Sequence, residues 1–120
     1  PKWEQKIKEK FQNTDFLETA LTQTQHKYIG KDALREQLIK LKTTWPVLKV
    51  RLTEQLVPSE EVEKRLVAVG APVEPEQIGI SRERLKESFY RASYIRSRFT
   101  VLDIALRTGC LDQWLNEIFD

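Results

Sequence analysis

At 120 residues, with 40% hydrophobic and 32% charged side chains, the chain is long enough for one real hydrophobic core. It is short for an enzyme that must also fold around a dinucleotide. The net charge is only +2, and its distribution hides no basic domain: residues 1–57 carry 11 basic and 7 acidic side chains, 58–80 carry 2 and 5, and 81–120 carry 7 and 6. Phosphate neutralisation along a nucleic acid wants Lys and Arg on one face without interleaved acids, so no nucleic-acid partner is expected.

No apolar run reaches the roughly 20 residues that span a bilayer, and no charged-then-apolar leader opens the chain, so a cytoplasmic protein with no membrane partner is expected. The absence of Met, at the start and throughout, fits a processed product or a piece of a longer chain. The lone Cys110 has no partner for an internal disulfide and reads as a small hydrophobe in a helix corner.

Trp3, Ile7 and Phe11, spaced by four, give the opening segment a narrow apolar edge on a solvated helix. Asn13-Thr14-Asp15 interrupts it, and Thr14 or Asp15 is placed to cap a second helix. Its inner face would be Phe16 or Leu17, Ala20 or Leu21, Thr24 and Tyr28, ending at Gly30. His26, near that end, has no further ligand at matching spacing and reads as a surface residue or a helix-terminus cation.

From Asp32 onward, Leu34, Leu38, Leu41, Trp45, Leu48, Leu52 and Gln55-Leu56 alternate by four and three over more than three heptads, as in a coiled-coil seam. Pro46 interrupts this seam, removing a backbone donor, so a kink or restart is expected near Trp45, with Thr43 and Thr44 as local caps. Val57-Pro58-Ser59-Glu60-Glu61 reads as a stop and a fresh start with Ser59 as N-cap, after which Val62, Leu66 and Val69 face inward and Gly70 terminates. Two prolines and two flanking glycines then forbid regular helix over residues 70–80, a connector expected to be pinned by Ile78 and Ile80.

The richest stretch is 78–109. Leu85, Phe89, Ala92, Ile95, Phe99, Leu102 and Leu106 form one apolar stripe of a long helix, capped by Ser81 with Glu83 at its positive end and closed at Thr108-Gly109. Arg84, Arg91 and Arg98, seven apart, make a second stripe, either solvated or functional. Leu111, Trp114, Leu115, Ile118 and Phe119 give a final amphipathic helix that docks on the long one. No segment alternates by two for long enough to be a strand. The expected fold is therefore all-α, a single domain over residues 1–120 built as an irregular bundle of about six to seven helices.

The usual carriers of chemistry are missing: no Gly-rich phosphate loop, no His-Glu-x-x-His, no Cys pairs and no Gly-x-Ser-x-Gly. Residue by residue, the chain holds no self-contained catalytic, cofactor-binding or metal site.

Three runs nonetheless carry a resemblance: Gly70-Ala71-Pro72, then Pro75-Glu76-Gln77-Ile78-Gly79-Ile80-Ser81, then Ile95-Arg96-Ser97-Arg98-Phe99-Thr100-Val101-Leu102-Asp103. With Trp45-Pro46 to Pro58, and Gly109 to Phe119, they resemble the C-terminal helical region of bacterial sn-glycerol-1-phosphate dehydrogenases, and the likeness extends over essentially the whole chain. Those enzymes belong with the iron-containing alcohol dehydrogenases, glycerol dehydrogenases and dehydroquinate synthases. The resemblance implies a dehydroquinate synthase-like C-terminal domain, preceded in the parent enzyme by an α/β domain that binds NAD(H) or NADP(H).

It also implies a divalent metal (Zn, Ni or Fe) in the cleft between the domains, and a role in phospholipid metabolism through reversible hydride transfer to dihydroxyacetone phosphate. The family's nucleotide-binding glycines and its metal ligands, an Asp and two His, precede the matching stretch, and His26-Lys27 does not match the family's His-Gly motif. No catalytic, metal or cofactor residue is therefore carried over, and the chain alone is expected to be inactive. Its expected partners are the missing nucleotide-binding domain and further copies in a homo-oligomer.

Arg96 and Arg98 are the matched residues whose planar donor forks suit a substrate phosphate. The competing reading pairs them with Glu87 or Asp103, or has them cap neighbouring carbonyls, and local acids favour it. Thr100 and Asp103 read as local hydrogen-bonding groups. Beside the dehydrogenase reading stands another: a self-standing helical interaction module using the leucine seam from Leu34 to Leu56.

Overall fold

The computed structural model describes residues 2–119. Among them the fold is all-α: α1 (Lys2–Phe11), α2 (Leu17–Lys27), α3 (Lys31–Gln55), α4 (Ser59–Ala68), a 3-10 turn (Pro75–Ile78), α5 (Arg82–Ala92), α6 (Val101–Thr108) and α7 (Leu111–Phe119). Five of these helices make a packed body, and α3 with α4 makes an arm.

The body has two small cores. In one, Ile7 and Phe11 of α1 meet Ala20 of α2, with Trp3, Leu17, Leu21 and Tyr94 around them, so the apolar edge expected of the first helix is its buried face. Phe16, an alternative inner position, is instead exposed. Neither Thr14 nor Asp15 caps α2. Asn13 adopts a left-handed φ of 62° and the Thr14 hydroxyl donates back to Phe11 O at 2.8 Å, so the turn closes α1 and leaves Phe16 at the N-cap without a side-chain bond.

In the other core, Ala105, Leu111 and Leu115 are surrounded by Phe89, Tyr90, Leu102 and Phe119, and α7 packs against both α5 and α6. The final helix docks through Leu111, Leu115 and Phe119, whereas Trp114 and Ile118, expected on the same face, are exposed. Gly109, at φ 75°, ends α6, and Cys110 N donates to Ala105 O at 2.9 Å, the left-handed closure that glycine makes without steric cost.

The long helix expected over 78–109 is two helices. Ser81 does cap α5, accepting from Arg84 N at 3.2 Å, but the helix stops at Ala92. A second N-terminus then forms at Thr100, where the side chains of Thr100 and Asp103 satisfy each other's backbone N–H groups in a capping box. This local competitor outweighs continued periodicity. The apolar stripe is consequently split: Leu85, Phe89 and Leu102 are half-buried, whereas Ile95, Phe99 and Leu106 are exposed.

The arm departs further. No residue of α3 or α4 is buried, although leucines recur along α3 at alternating spacings of four and three. The helix neither breaks nor restarts at Pro46. The Thr43 and Thr44 hydroxyls donate to Ile39 O at 2.9 Å and Lys40 O at 2.8 Å, inside the helix rather than as caps, and the carbonyl that Pro46 leaves without its donor lies on an exposed helix open to water. Ser59 opens α4 with Pro58 at the N-cap, and Gly70, at φ 71°, ends it with Ala71 N donating to Leu66 O at 2.9 Å. Val62, Leu66 and Val69, expected to face inward, are exposed.

Between α4 and α5, Glu74 and Gln77 form a second capping box around the 3-10 turn. Gly79 closes that turn at φ 73°, and Ile80 N donates to Pro75 O at 3.0 Å. The connector is thus ordered by backbone and polar bonds, with Ile80 half-buried but Ile78 exposed.

α3 touches α6, while α4 has no comparable packing against another element. The radius of gyration, 16.8 Å, exceeds the about 13.6 Å of a compact chain of this length. Among the described residues no helix is long and apolar enough to cross a membrane.

Candidate functional site

The segment joining α5 to α6, residues 93–100, holds both sequence-selected arginines and is tacked down from one side by α2. Gln23 Oε1 accepts from Ser97 N at 2.8 Å, the Thr24 hydroxyl donates to Tyr94 O at 3.4 Å, and the Lys27 ammonium donates to Ser93 O. Ser93 itself is buried, its hydroxyl donating to Tyr90 O at 2.9 Å. The loop therefore has a fixed root.

Under the loop lies an ion pair that the chain's local patterns do not announce. Lys27 Nζ sits 2.7 Å from Asp103 Oδ1, with side chains only 9% and 7% exposed. The other carboxylate oxygen accepts from Thr100 N at 2.7 Å and Thr100 Oγ1 at 3.1 Å. One carboxylate thus starts α6, neutralises a lysine from α2 and holds the end of the arginine loop. Because both charges are withdrawn from water, losing one strands the other.

Arg107 ties the arm to this assembly. It donates to Lys27 O at 2.8 Å and to Gln37 Oε1 of α3, and its guanidinium lies 4.7 Å from the Phe99 ring centroid. An apolar cavity of about 400 Å³ opens between α3 and α6 here, lined by Leu38, Leu41, Phe99 and Ile104 among others. On the neighbouring side Trp3 stacks on Tyr28 at 5.6 Å, and its indole N–H is buried without a hydrogen-bond partner among the described residues.

Arg96 and Arg98 are both exposed on the loop. Their expected partners are occupied: Glu87 is engaged by Lys10 at 3.1 Å and by Arg91 at 3.2 Å, and Asp103 by Lys27. No ion pair holds either guanidinium among the described residues. The three-arginine stripe does not form, since Arg84 and Arg91 are on α5 and Arg98 lies beyond its end. Arg91 instead pairs with Glu87 and lies 5.8 Å from the Phe11 ring centroid.

Two groups show displaced acidity. Glu83 is held below the usual carboxylate range by a backbone N–H and then by the Ser81 hydroxyl. The Tyr94 phenol is pushed up by burial first, and then by the Asp112 and Glu87 charges.

The residues present do not fit the metal that the resemblance attaches to a parent enzyme. Among the described residues no three His, Cys, Asp or Glu side chains cluster closely enough to hold a metal, and His26 is exposed at the end of α2. Thr100-x-x-Asp103 before an apolar run was legible as a capping box. Lys27, 76 residues away from Asp103, had no local signal. Comparison of the chain with protein-family models, with curated proteins and with solved structures gives no match.

Proposed function

We propose that this chain is the C-terminal helical domain of an sn-glycerol-1-phosphate dehydrogenase-like oxidoreductase, an enzyme interconverting dihydroxyacetone phosphate and glycerol 1-phosphate with NAD(P) and a divalent metal. The observation that carries the reading is where the resembling residues fall. Gly70, Gly79, Thr100, Asp103 and Gly109 occupy the left-handed turns and the capping box, positions where a shared sequence reports a shared backbone path. In this reading the domain supplies one wall of a cleft whose nucleotide- and metal-binding residues lie in another part of the enzyme. Arg96 and Arg98, exposed on a rooted loop and held by no ion pair among the described residues, receive the substrate phosphate.

Sequencing the intact protein from its source, followed by assay of that whole protein, tests this. The expected result is an α/β segment upstream of Pro1 and NAD(P)H-dependent reduction of dihydroxyacetone phosphate, with no activity from the 120-residue chain alone. In the whole enzyme, R96A/R98A raises KM for dihydroxyacetone phosphate and leaves that for unphosphorylated dihydroxyacetone unchanged. A whole protein inactive on this substrate with Zn, Ni or Fe overturns the reading, as does reduction of the substrate by the isolated chain.

A second reading, a self-standing helical interaction module, is favoured by one observation: Ile39, Trp45, Val47 and Val50 of α3 and Val62, Leu66 and Val67 of α4 are exposed. Sedimentation of the pure chain tests it, since a cooperatively folded monomer at every concentration counts against it.

A further inference from the structure

Of the two apolar faces of α3, the one bearing Ile39, Val47 and Val50 stands in solvent. The other, with Leu38 and Leu41, looks across a cleft at α6, and that cleft holds about 400 Å³. Sites that take small molecules measure about 300–1,000 Å³ and are mostly apolar, with a few fixed polar groups. Phe99 of the rooted loop and Ile104 of α6 complete the apolar wall here.

The polar groups of the wall differ in what they have left for a ligand. The Thr44 and Thr108 hydroxyls each donate into their own helix, to Lys40 O and Ile104 O at 2.8 Å, so their protons are already engaged. Gln37 Oε1 accepts from Arg107. Among the described residues no carboxylate lines the cleft, and no ion pair or hydrogen bond holds the Lys40 ammonium.

Arg107 directs one N–H to Gln37 and one to Lys27 O, and a guanidinium carries five. Its charged groups thus leave the cleft with donors and positive charge to offer. Arg107 is also fixed before any ligand arrives, by those two bonds and by the Phe99 ring 4.7 Å away, so binding orders little that is not ordered already.

We propose that the cleft between α3 and α6 binds a small amphiphilic carboxylate, with its apolar body against Leu38, Leu41, Phe99 and Ile104 and its head met by Arg107 and Lys40. An acceptor-only head answers a wall whose free charged groups are donors. A neutral head would take water from two cations and return no charge. A planar head with two oxygens suits a guanidinium whose fork is partly engaged. The proposal goes beyond both functional readings and rests on neither.

The test is an amide NMR titration of the 120-residue chain with 2-naphthoate and with octanoate, which share the head and differ in the body, and with the corresponding neutral amides. The expected result is saturable shifts confined to residues 37–44 and 99–108 with at least one acid, at a dissociation constant on the order of 100 μM. The amide of that acid binds at least tenfold more weakly. Saturation by octanoate alone makes the body an acyl chain, and by 2-naphthoate alone an aromatic ring. Lys40→Glu, at an exposed position, weakens the acid tenfold or more and leaves its amide unchanged. Thr44→Trp fills the cleft and removes both, with helical circular dichroism retained. Failure of both acids to bind overturns the proposal. So does an amide that binds as tightly as its acid, a set of shifts centred on Arg96 and Arg98, or an affinity that neither variant moves.

Discussion

The body and the arm are made of similar material and differ in what covers them. Short α1, with one apolar residue per turn, buries Ile7 completely because α2 and Tyr94 close over it. Long α3, with leucines sustained over several heptads, buries nothing. Periodicity announces that a helix has a face to bury. It does not say whether the covering surface belongs to the same chain. Several experiments would break or sharpen this contrast.

The largest effect is expected at the root of the body. Asp103→Ala strands Lys27 and removes the start of α6, so urea unfolding should show a loss of about 3–5 kcal/mol. The apolar pair K27M/D103L should recover most of it. If D103A is benign, the two buried charges are not what joins α2 to α6.

Next comes the direct contrast. Ile7→Ala should cost about 2–5 kcal/mol, while Val50→Ala, measured in dilute solution where the chain is alone, should stay within about 0.5 kcal/mol. Equal costs would show that the arm is covered even in the single chain.

Pro46→Ala restores a helix donor and removes a residue about 3 kcal/mol worse than Ala in a helix interior. Because no residue of α3 is buried, the gain should register as slower hydrogen exchange around residues 42–50, with little change in the global unfolding midpoint. A rise of the global midpoint by the full amount would instead make arm and body one cooperative unit.

Smaller effects follow from the two displaced acidities. The Tyr94 acidity is weakened in the folded state, so its contribution is fully present below the ordinary tyrosine value of 10.0 and is lost as pH rises through the higher folded value. Tyr94→Phe should remove that part of the alkaline decline, read by denaturation between about pH 9 and 12. Glu83 runs the other way: its folded acidity is strengthened, so its contribution is present above the ordinary glutamate value of 4.5 and is lost as pH falls through the folded value. Ser81→Ala should move the Glu83 titration toward that ordinary value, observable by side-chain NMR.

Local chemistry made much of the fold legible. Ser81 as a cap and Gly70 and Gly109 as terminators each depend on residues within a few positions of one another, and each is found where those residues imply. The division of 78–109 was also encoded locally, in Thr100 and Asp103, but a continuous apolar stripe masks a capping box that interrupts it. The candidate loop was visible only as Arg-x-Arg. That its guanidiniums lack acidic partners among the described residues follows from Lys10 and Arg91 occupying Glu87 and from Lys27 occupying Asp103, and the Lys10 and Lys27 contacts cross more than 70 residues of chain.

By itself, the sequence determined the helical class, most helix ends and the existence of amphipathic faces, because caps, left-handed glycines and 3.6-residue periodicity act over one or two turns. Only the tertiary structure decided which faces are covered, which carboxylate answers which cation, and that α3 presents a second apolar face to solvent. Those outcomes depend on the packing of segments distant in the chain, where burial and charge pairing are settled by three-dimensional neighbours that no local spacing specifies.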